Sequence, residues 1–144
     1  QHVREIIRPE LAAGTTVVSA RYADSSLAYQ GYGSGVPLEV LRTLAAIATD
    51  GLAPDLTIVL DLPVEAGLAR KGPADVTRWE AEFDVDFHRR VRAGFLEMAA
   101  AEPGRVVVID AGGDVETVAA AVASVVDQRL GSGEPETPRV RNPG

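Results

Sequence analysis

Residues 21–35, RYADSSLAYQGYGSG, concentrate the side chains of this sequence that could bind a planar, anionic ligand. They follow a β-branched run that begins at Thr15 and combine a guanidinium, hydroxyls, three tyrosine rings and an amide in fifteen positions. Arginine binds phosphate bidentately, and rings and amides contact the face and edge of a base. These residue types therefore predict a pocket for a phosphorylated ligand with a planar group.

Each candidate in this segment also has a structural interpretation. Arg21 could form an ion pair with Asp24 or with a helix end in place of a phosphate clamp. Asp24 or Ser25 could cap a helix in which Leu27 and Tyr29 serve for packing. Both interpretations are compatible, because a helix N-terminus is itself an anion site.

Three glycines in the segment resemble a phosphate loop only in composition: Gly31, Gly33 and Gly35. No G-x-x-x-x-G-K-[ST] motif occurs in the sequence, and no lysine follows these glycines directly. We therefore expect them to permit a turn before the next helix.

Composition limits the classes of function. The 144 residues suffice for one domain with a core, and 46% hydrophobic and 24% charged residues are typical of a soluble globular protein, for which a cytoplasmic location is the default expectation. A net charge of −7 argues against a nucleic-acid partner. No cysteine is present for a disulfide or thiolate site, and no apolar run is long enough to span a membrane.

Apolar runs that predict strands alternate with amphipathic stretches that predict helices. Runs at 15–20, 56–62 and 105–111 are continuous in Val, Ile and Leu, as in strands covered on both faces. Helical periodicity covers 36–50, which begins near Pro37, then 79–101, and 115–130 behind a capping Asp114. This alternation predicts an α/β fold with a parallel sheet in three layers.

The two ends of the chain differ in character. The amphipathic pattern from Gln1 to Leu11 has no cap before it, so we expect the chain to begin inside a helix of a longer product. Residues 1–130 are predicted to form the domain, and residues 131–144, rich in Gly, Pro and charge, a flexible tail.

Ligands of parallel α/β sheets bind beyond the carboxyl ends of the strands. Those ends are predicted at Ala20–Arg21, Asp61 and Asp110, which places residues 21–35 at the ligand-binding edge. Asp61 could bind a metal or cap a helix, and we favour a structural role for it.

The segment closely resembles the thymidylate kinase pattern D-R-Y-x-D-S-S-x-A-Y-Q-G, except that Ala20 stands where the family has Asp. The resemblance extends over residues 1–129 and includes QHVREIIRPELAAG, GLAPDLTIVLDLPVEAGLAR and FHRRVRAGFLEMAAAEPGRVVVIDA. It implies ATP-dependent phosphorylation of dTMP to dTDP, a step in dTTP biosynthesis. The dTMP pocket would comprise Arg21, Ser25, Ser26, Tyr29 and Gln30, with the tyrosine near the deoxyribose and the glutamine near the thymine.

The resemblance also implies a mobile lid, although a basic loop before a helix is by itself usually a solvated surface. The lid pattern A-R-x-G…D-R-x-E-x-E matches residues 69–72 and 77–82, with Thr77 where the family often has Asp. Arg70, Lys71 and Arg78 would close over the phosphates, and Arg21, Arg70 and Arg78 would be the catalytic cations. Asp110 and Gly112 would lie in the adenine-side loop.

The family fold is a P-loop kinase sheet of strand order 2-3-1-4-5, and this sequence resembles the part after the Walker A loop and second strand. The chain is therefore expected to lack the first two strands. The family uses ATP and Mg²⁺, but no protein ligand for magnesium is identified here, since the Ala20 methyl cannot coordinate it. We thus expect the chain by itself to be nearly inactive; the alternative is an inactive nucleotide- or partner-binding remnant.

Two further expectations follow from the family. Its members commonly form homodimers, so a second copy is an expected partner. A sheet without its middle strand would leave unpaired backbone groups, each costing about 1–3 kcal/mol when buried. The chain should then be marginally stable, and strand 15–20 should pair directly with strand 56–62, recruit another chain or aggregate.

Overall fold

Two short parallel strands form the sheet in the computed structural model, which describes residues 1–70 and 84–131. Strand β1 spans Thr57–Asp61 and strand β2 spans Val106–Asp110. Their register pairs Thr57 with Val106 at one end and Asp61 with Asp110 at the other. The strands predicted at 56–62 and 105–111 are therefore confirmed, and two aspartates lie side by side at their carboxyl ends.

Six helices surround this strand pair in the described part of the chain. Helix α1 has a π-helical stretch followed by an α-helical one, and α2 has an α-helical turn followed by a π-helical stretch. The bounds are α1, Val3–Ile7 and Arg8–Ala12; α2, Ala23–Ser26 and Leu27–Gly33; α3, Leu38–Thr49; α4, Val64–Ala69; α5, Val85–Ala101; and α6, Val115–Leu130.

Aspartate side chains begin the two longest helices. Asp84 accepts a hydrogen bond from the backbone N–H of Phe87 at 2.7 Å, and Asp114 accepts one from Thr117 at 2.8 Å. Both satisfy N–H groups that have no partner inside the helix. The cap predicted at Asp114 is confirmed, whereas the predicted helix start at 79 lies outside the described residues.

Helix α2 packs against α5, and this contact forms the core that positions the candidate site. Ala28 of α2 is fully buried beside three α5 side chains: Phe87, Val91 and Met98. Gly33 allows the close approach, because a Cβ there would lie only 2.6 Å from the Phe87 ring and 2.9 Å from Val91. The expectation that Gly31 and Gly33 form a turn is wrong, since both are buried in the π-helical part of α2. Gly35, with φ +80°, does turn the chain.

The strand predicted at 15–20 does not form, nor does its predicted pairing with the 56–62 strand. These residues have no regular structure, and Val18 is 90% exposed. A strand needs a neighbour for its backbone groups, and in the described residues β1 pairs only with β2. The sheet is also less covered than predicted, since Leu60 is 54% exposed and Val108 is exposed as well.

Two helix starts differ from the prediction. Helix α2 begins after Tyr22, which caps it without a side-chain hydrogen bond, so the predicted cap at Asp24 or Ser25 is wrong. Pro37 precedes α3 as its cap residue and is not part of the first turn. Within residues 1–70 and 84–131, no helix has the length and apolar character needed to cross a membrane.

Candidate functional site

Three candidate residues are spaced four positions apart and meet along one side of α2. The Arg21 Nε donates to the Ser25 Oγ at 3.4 Å. The Arg21 guanidinium lies over the Tyr29 ring, 4.5 Å from its centroid. Ser25 and Tyr29 lie four residues apart on one face of α2. Arg21 lies two residues before the helix begins, and its side chain reaches both of them.

The Tyr29 ring is itself fixed by the core. The Phe87 ring packs edge-on against it, with 6.1 Å between centroids and an angle of 62°. Phe87 is buried, so it gives Tyr29 a rigid support. Arg21 is exposed to solvent, but its guanidinium lies on the Tyr29 ring, which the core supports. The N–H donors of Arg21 therefore point in a defined direction.

Ser26 and Gln30 form a second pair on the adjacent strip of α2. They also stand four residues apart, and both are exposed. A hydroxyl and an amide are thus available beside the Arg21 guanidinium and the Tyr29 ring. Four of the five residues predicted for the dTMP pocket lie on α2, and Arg21 lies two residues before it.

Asp24 does not form the ion pair with Arg21 that was considered from the sequence. Arg105 donates from Nη1 to Asp24 Oδ2 at 2.8 Å and from Nη2 to Oδ1 at 3.0 Å. The Thr57 hydroxyl donates to the same Oδ2 at 2.9 Å, and Arg105 also binds Glu102 through Nε at 2.8 Å. Asp24 therefore forms an ion pair with Arg105.

Burial opposes the ionisation of Asp24, but the hydrogen bonds from Arg105 and Thr57 outweigh it and hold the pKa of Asp24 below its ordinary value. Hydrogen bonds to Glu102, and then to Asp24, raise the pKa of Arg105. The pair is fully ionised at neutral pH. Local sequence patterns could not reveal it, because its partners are 81 residues apart.

The first turn of α2 lies at the amino ends of the strands. Thr57 is the first residue of β1 and Arg105 directly precedes β2, and both bind Asp24. The expectation that Arg21 follows a strand and joins Asp61 and Asp110 at the carboxyl ends is therefore wrong. The physical reason is the unformed strand at 15–20, which would have carried Arg21 to that edge.

A second group of candidates does meet at the carboxyl ends. Arg70, directly after α4, donates to the carbonyl oxygens of Ala111 at 3.1 Å and Gly112 at 3.4 Å. The Asp110 carboxylate accepts from the Gly112 N–H at 2.7 Å and closes the same turn. Three residues predicted for the nucleotide and lid region, Arg70, Asp110 and Gly112, are thus neighbours.

Asp61 has the structural role that was favoured for it. Arg92 of α5 donates to both carboxylate oxygens, at 2.7 Å and 2.8 Å. This bidentate hydrogen bonding lowers the pKa of Asp61. The pair fixes α5 to the carboxyl end of β1.

Two other predictions concern the lid residues and a magnesium site. Lys71 and Arg78, with Thr77, lie outside the described residues. Among the residues that are described, no group of three or more His, Cys, Asp or Glu side chains could hold a metal ion.

Comparison with known proteins gives consistent matches. A family model described as "Thymidylate kinase" matches residues 1–122. A thymidylate kinase of Synechococcus sp. (strain JA-2-3B'a(2-13)) is 54% identical over 130 residues, which cover 90% of this chain and 62% of the relative. A thymidylate kinase of Deinococcus radiodurans is 49% identical over 132 residues, 90% of this chain and 63% of the relative.

A solved structure agrees with these relatives. The crystal structure of thymidylate kinase from Ehrlichia chaffeensis matches with a TM-score of 0.65 and 30% identity, over 87% of this chain and 56% of that one. The α/β fold with a parallel sheet of the P-loop kinase type is therefore confirmed. The chain spans about 62% of the length of the first curated relatives it matches.

Proposed function

The chain belongs to the thymidylate kinase family, and on this basis we propose that it serves the ATP-dependent phosphorylation of dTMP to dTDP, with α2 contributing the dTMP pocket. The observation that carries the proposal is the position of Arg21 over Tyr29 and its hydrogen bond to Ser25, with Ser26 and Gln30 exposed on the same helix as Ser25 and Tyr29. A guanidinium, a ring, hydroxyls and an amide on α2 and the residue pair before it match the phosphate, sugar and base of a nucleotide.

Arg21 would bind the dTMP phosphate. Its guanidinium is exposed, and no carboxylate among residues 1–70 and 84–131 forms an ion pair with it. Its support on Tyr29 reduces the conformational freedom that binding would otherwise remove. Gln30 would hydrogen-bond the edge of the thymine, and Ser25 and Ser26 would contact the sugar or the phosphate.

Arg70, Lys71 and Arg78 would act at the ATP phosphates as lid residues, and the turn at Asp110 and Gly112 would border the adenine. ATP and Mg²⁺ would be the cosubstrate and cofactor of the family reaction. The first turn of α2 and Arg70 lie at opposite ends of the strand pair. The contacts around Arg21 support binding of dTMP.

Calorimetric titration of the 144-residue chain with dTMP tests the proposal. We expect saturable binding, and we expect Arg21→Ala to abolish it because the phosphate loses its cation. Arg4→Ala removes another exposed arginine, on α1, and is the matched control that should bind normally. Absence of heat at millimolar dTMP would overturn the proposed pocket.

A second function is favoured by Ala20, which replaces the family's carboxylate. The chain would then bind a nucleotide or a protein partner without turnover. A coupled assay with ATP, Mg²⁺ and dTMP separates the two functions. Binding with negligible turnover favours the inactive binding protein, and turnover at the rate of an ordinary nucleotide kinase contradicts it.

The family resemblance also motivates a second copy of the chain as partner. Helix α3 exposes Val40, Leu44 and Ile47, which recur on one face and would be shielded in a dimer. Sedimentation velocity across a range of concentrations tests this proposal. A monomer at every concentration would contradict it.

A further inference from the structure

Arg21 has an acidic neighbour that could neutralise it. Asp24 stands three residues later, in the first turn of α2, and a carboxylate so near in sequence is an obvious partner for a guanidinium. The structure shows a different pairing, because both oxygens of Asp24 are bound by Arg105. Arg21 is directed instead toward Ser25 and the Tyr29 ring.

The Asp24–Arg105 pair has the features of a strong, well-oriented interaction. Its hydrogen bonds are bidentate, and the side chains are only 14% and 19% exposed. Arg105 is in turn fixed by Glu102, which accepts from its Nε and its Nη2. Exposed ion pairs are weak and readily exchanged, whereas this one is largely shielded from water.

We propose that Arg105 is a positioning residue that keeps Asp24 away from Arg21, so that the Arg21 charge stays available to the phosphate of dTMP. This inference rests on the proposed function of Arg21. A carboxylate beside Arg21 would compete with the incoming phosphate for the same donors. It would also repel that phosphate, because both groups are negative.

Removal of Arg105 has a specific consequence under this proposal. Asp24 then keeps only the Thr57 hydroxyl as a partner, and Arg21 is the nearest arginine along the chain. Asp24 turns toward Arg21 and weakens dTMP binding. Neutralisation of Asp24 in the same protein removes the competitor, so the second substitution restores what the first one lost.

The test is a double-mutant cycle on the 144-residue chain, read by calorimetric titration with dTMP. We expect Arg105→Ala to raise the Kd by about tenfold or more and Asp24→Asn to leave it nearly unchanged. The double variant should recover most of the lost affinity. A helix that is merely disordered by loss of the pair would behave otherwise, since the two single variants and the double variant would all lose affinity alike.

Two further variants distinguish a specific loss of dTMP binding from a general loss of folding. Arg105→Met replaces the shielded stem with apolar volume and should reproduce the effect of Arg105→Ala. Arg92→Ala removes another bidentate arginine–aspartate pair, with Asp61 at the carboxyl end of β1, and changes the net charge equally. It should leave dTMP affinity unchanged.

A second measurement needs no dTMP. Phenylglyoxal labels free arginines, and peptide mass spectrometry reports the labelling rate at Arg21. We expect slower labelling of Arg21 in Arg105→Ala than in the wild type, and restored labelling in the double variant. If the wild type fails to bind dTMP, the proposed function is wrong, and the labelling rates still decide this inference.

Three results would overturn the proposal. The first is unchanged affinity and unchanged Arg21 labelling in Arg105→Ala. The second is a double variant that binds and labels no better than Arg105→Ala. The third is an equal loss of affinity in Arg92→Ala, which would trace the effect to general destabilisation.

Discussion

Arg21 illustrates how neighbouring residues give an exposed side chain a fixed direction. Its guanidinium lies 4.5 Å from the centroid of Tyr29, and Tyr29 is backed by the buried Phe87. A guanidinium over an aromatic ring is stabilised by about 0.5–2 kcal/mol, depending on exposure. The Tyr29 ring therefore orients the Arg21 guanidinium.

The ring of Tyr29 should matter more than its hydroxyl for dTMP binding. Tyr29→Ala removes the support of Arg21, and we expect the Kd for dTMP to rise by about 2- to 30-fold, the equivalent of 0.5–2 kcal/mol. Tyr29→Phe keeps the ring and is the matched control, with affinity close to the wild type. Calorimetric titration measures both, and an equal loss in the two variants would refute this account.

The ion pair of Asp24 should make stability depend on acid pH. The pKa of Asp24 is lowered in the folded protein, so the unfolded chain binds a proton at this carboxylate more readily. The ion pair therefore stabilises the fold above the ordinary aspartate pKa of about 4. It is lost as the pH falls through the folded pKa. Urea unfolding from neutral to acid pH should show that Asp24→Asn is less stable at neutral pH and that the difference shrinks in acid.

Asp55→Asn is the control for this pH dependence, because Asp55 is exposed. Its unfolding free energy should follow that of the wild type across the range. A difference between Asp24→Asn and the wild type that stays constant from neutral to acid pH would show that charge on Asp24 does not contribute.

Sequence reasoning at the residue scale singled out Arg21, Ser25 and Tyr29, and the structure brings these side chains into contact because they are close in sequence. It did not find Arg105 as the partner of Asp24. Two charged residues 81 positions apart meet only through the packing of α2 on the strand pair. No pattern among neighbouring residues of the sequence predicts such a contact.

At the scale of elements, the site depends on how closely α2 and α5 approach. Gly33 of α2 packs directly onto Phe87 and Val91 of α5, and the Gly33 carbonyl accepts from the Arg90 Nε at 3.1 Å. The Phe87 ring in the same contact supports Tyr29. The glycine interpreted in the sequence as part of a turn is thus a packing residue that sets the distance between the two helices.

Gly33→Ala should destabilise the protein by about 1–3 kcal/mol, because the added methyl overlaps the Phe87 ring and Val91. This direction is diagnostic, since alanine is otherwise better than glycine in a helix by about 0.5–1 kcal/mol. Gly104→Ala is the control, because a Cβ at Gly104 meets no atom within 4 Å. Urea unfolding measures both, and a Gly33→Ala variant as stable as the wild type would contradict the close packing.

The strands show the same division between local pattern and packing. The apolar runs at 56–62 and 105–111 formed β1 and β2, and each has the other as a partner. The run at 15–20 has similar β-branched residues but no partner strand among the described residues, and it stays irregular. Strand propensity predicts which segments could pair, and pairing decides which of them do.

At the scale of the whole molecule, the described residues leave much apolar surface uncovered. Leu60 of β1 is 54% exposed and Val115 of α6 is 84% exposed, and both line one open groove. No large side chain in the described part is fully buried. Hydrophobic burial is the main favourable term in folding, so a small core leaves a small free energy of unfolding.

We accordingly predict that the purified 144-residue chain is marginally stable and associates through its exposed apolar surface. Urea unfolding should show a broad transition with a low midpoint, and light scattering should show mass that increases with concentration. A hydrophobic dye should bind before denaturant is added, because apolar surface is already exposed. A sharp two-state transition of a monomer would contradict this prediction.

The sequence by itself determined the family, the residue types of the candidate pocket and two of the strands, because motifs, spacing and apolar runs are properties of neighbouring residues. Only the tertiary structure decided that Asp24 pairs with Arg105, that helix α2 begins at the amino ends of the strands and that 15–20 forms no strand. The physical reason is that ion pairs, backbone pairing and close helix packing each need a partner distant in sequence. Where that partner lies is fixed by packing of the whole chain.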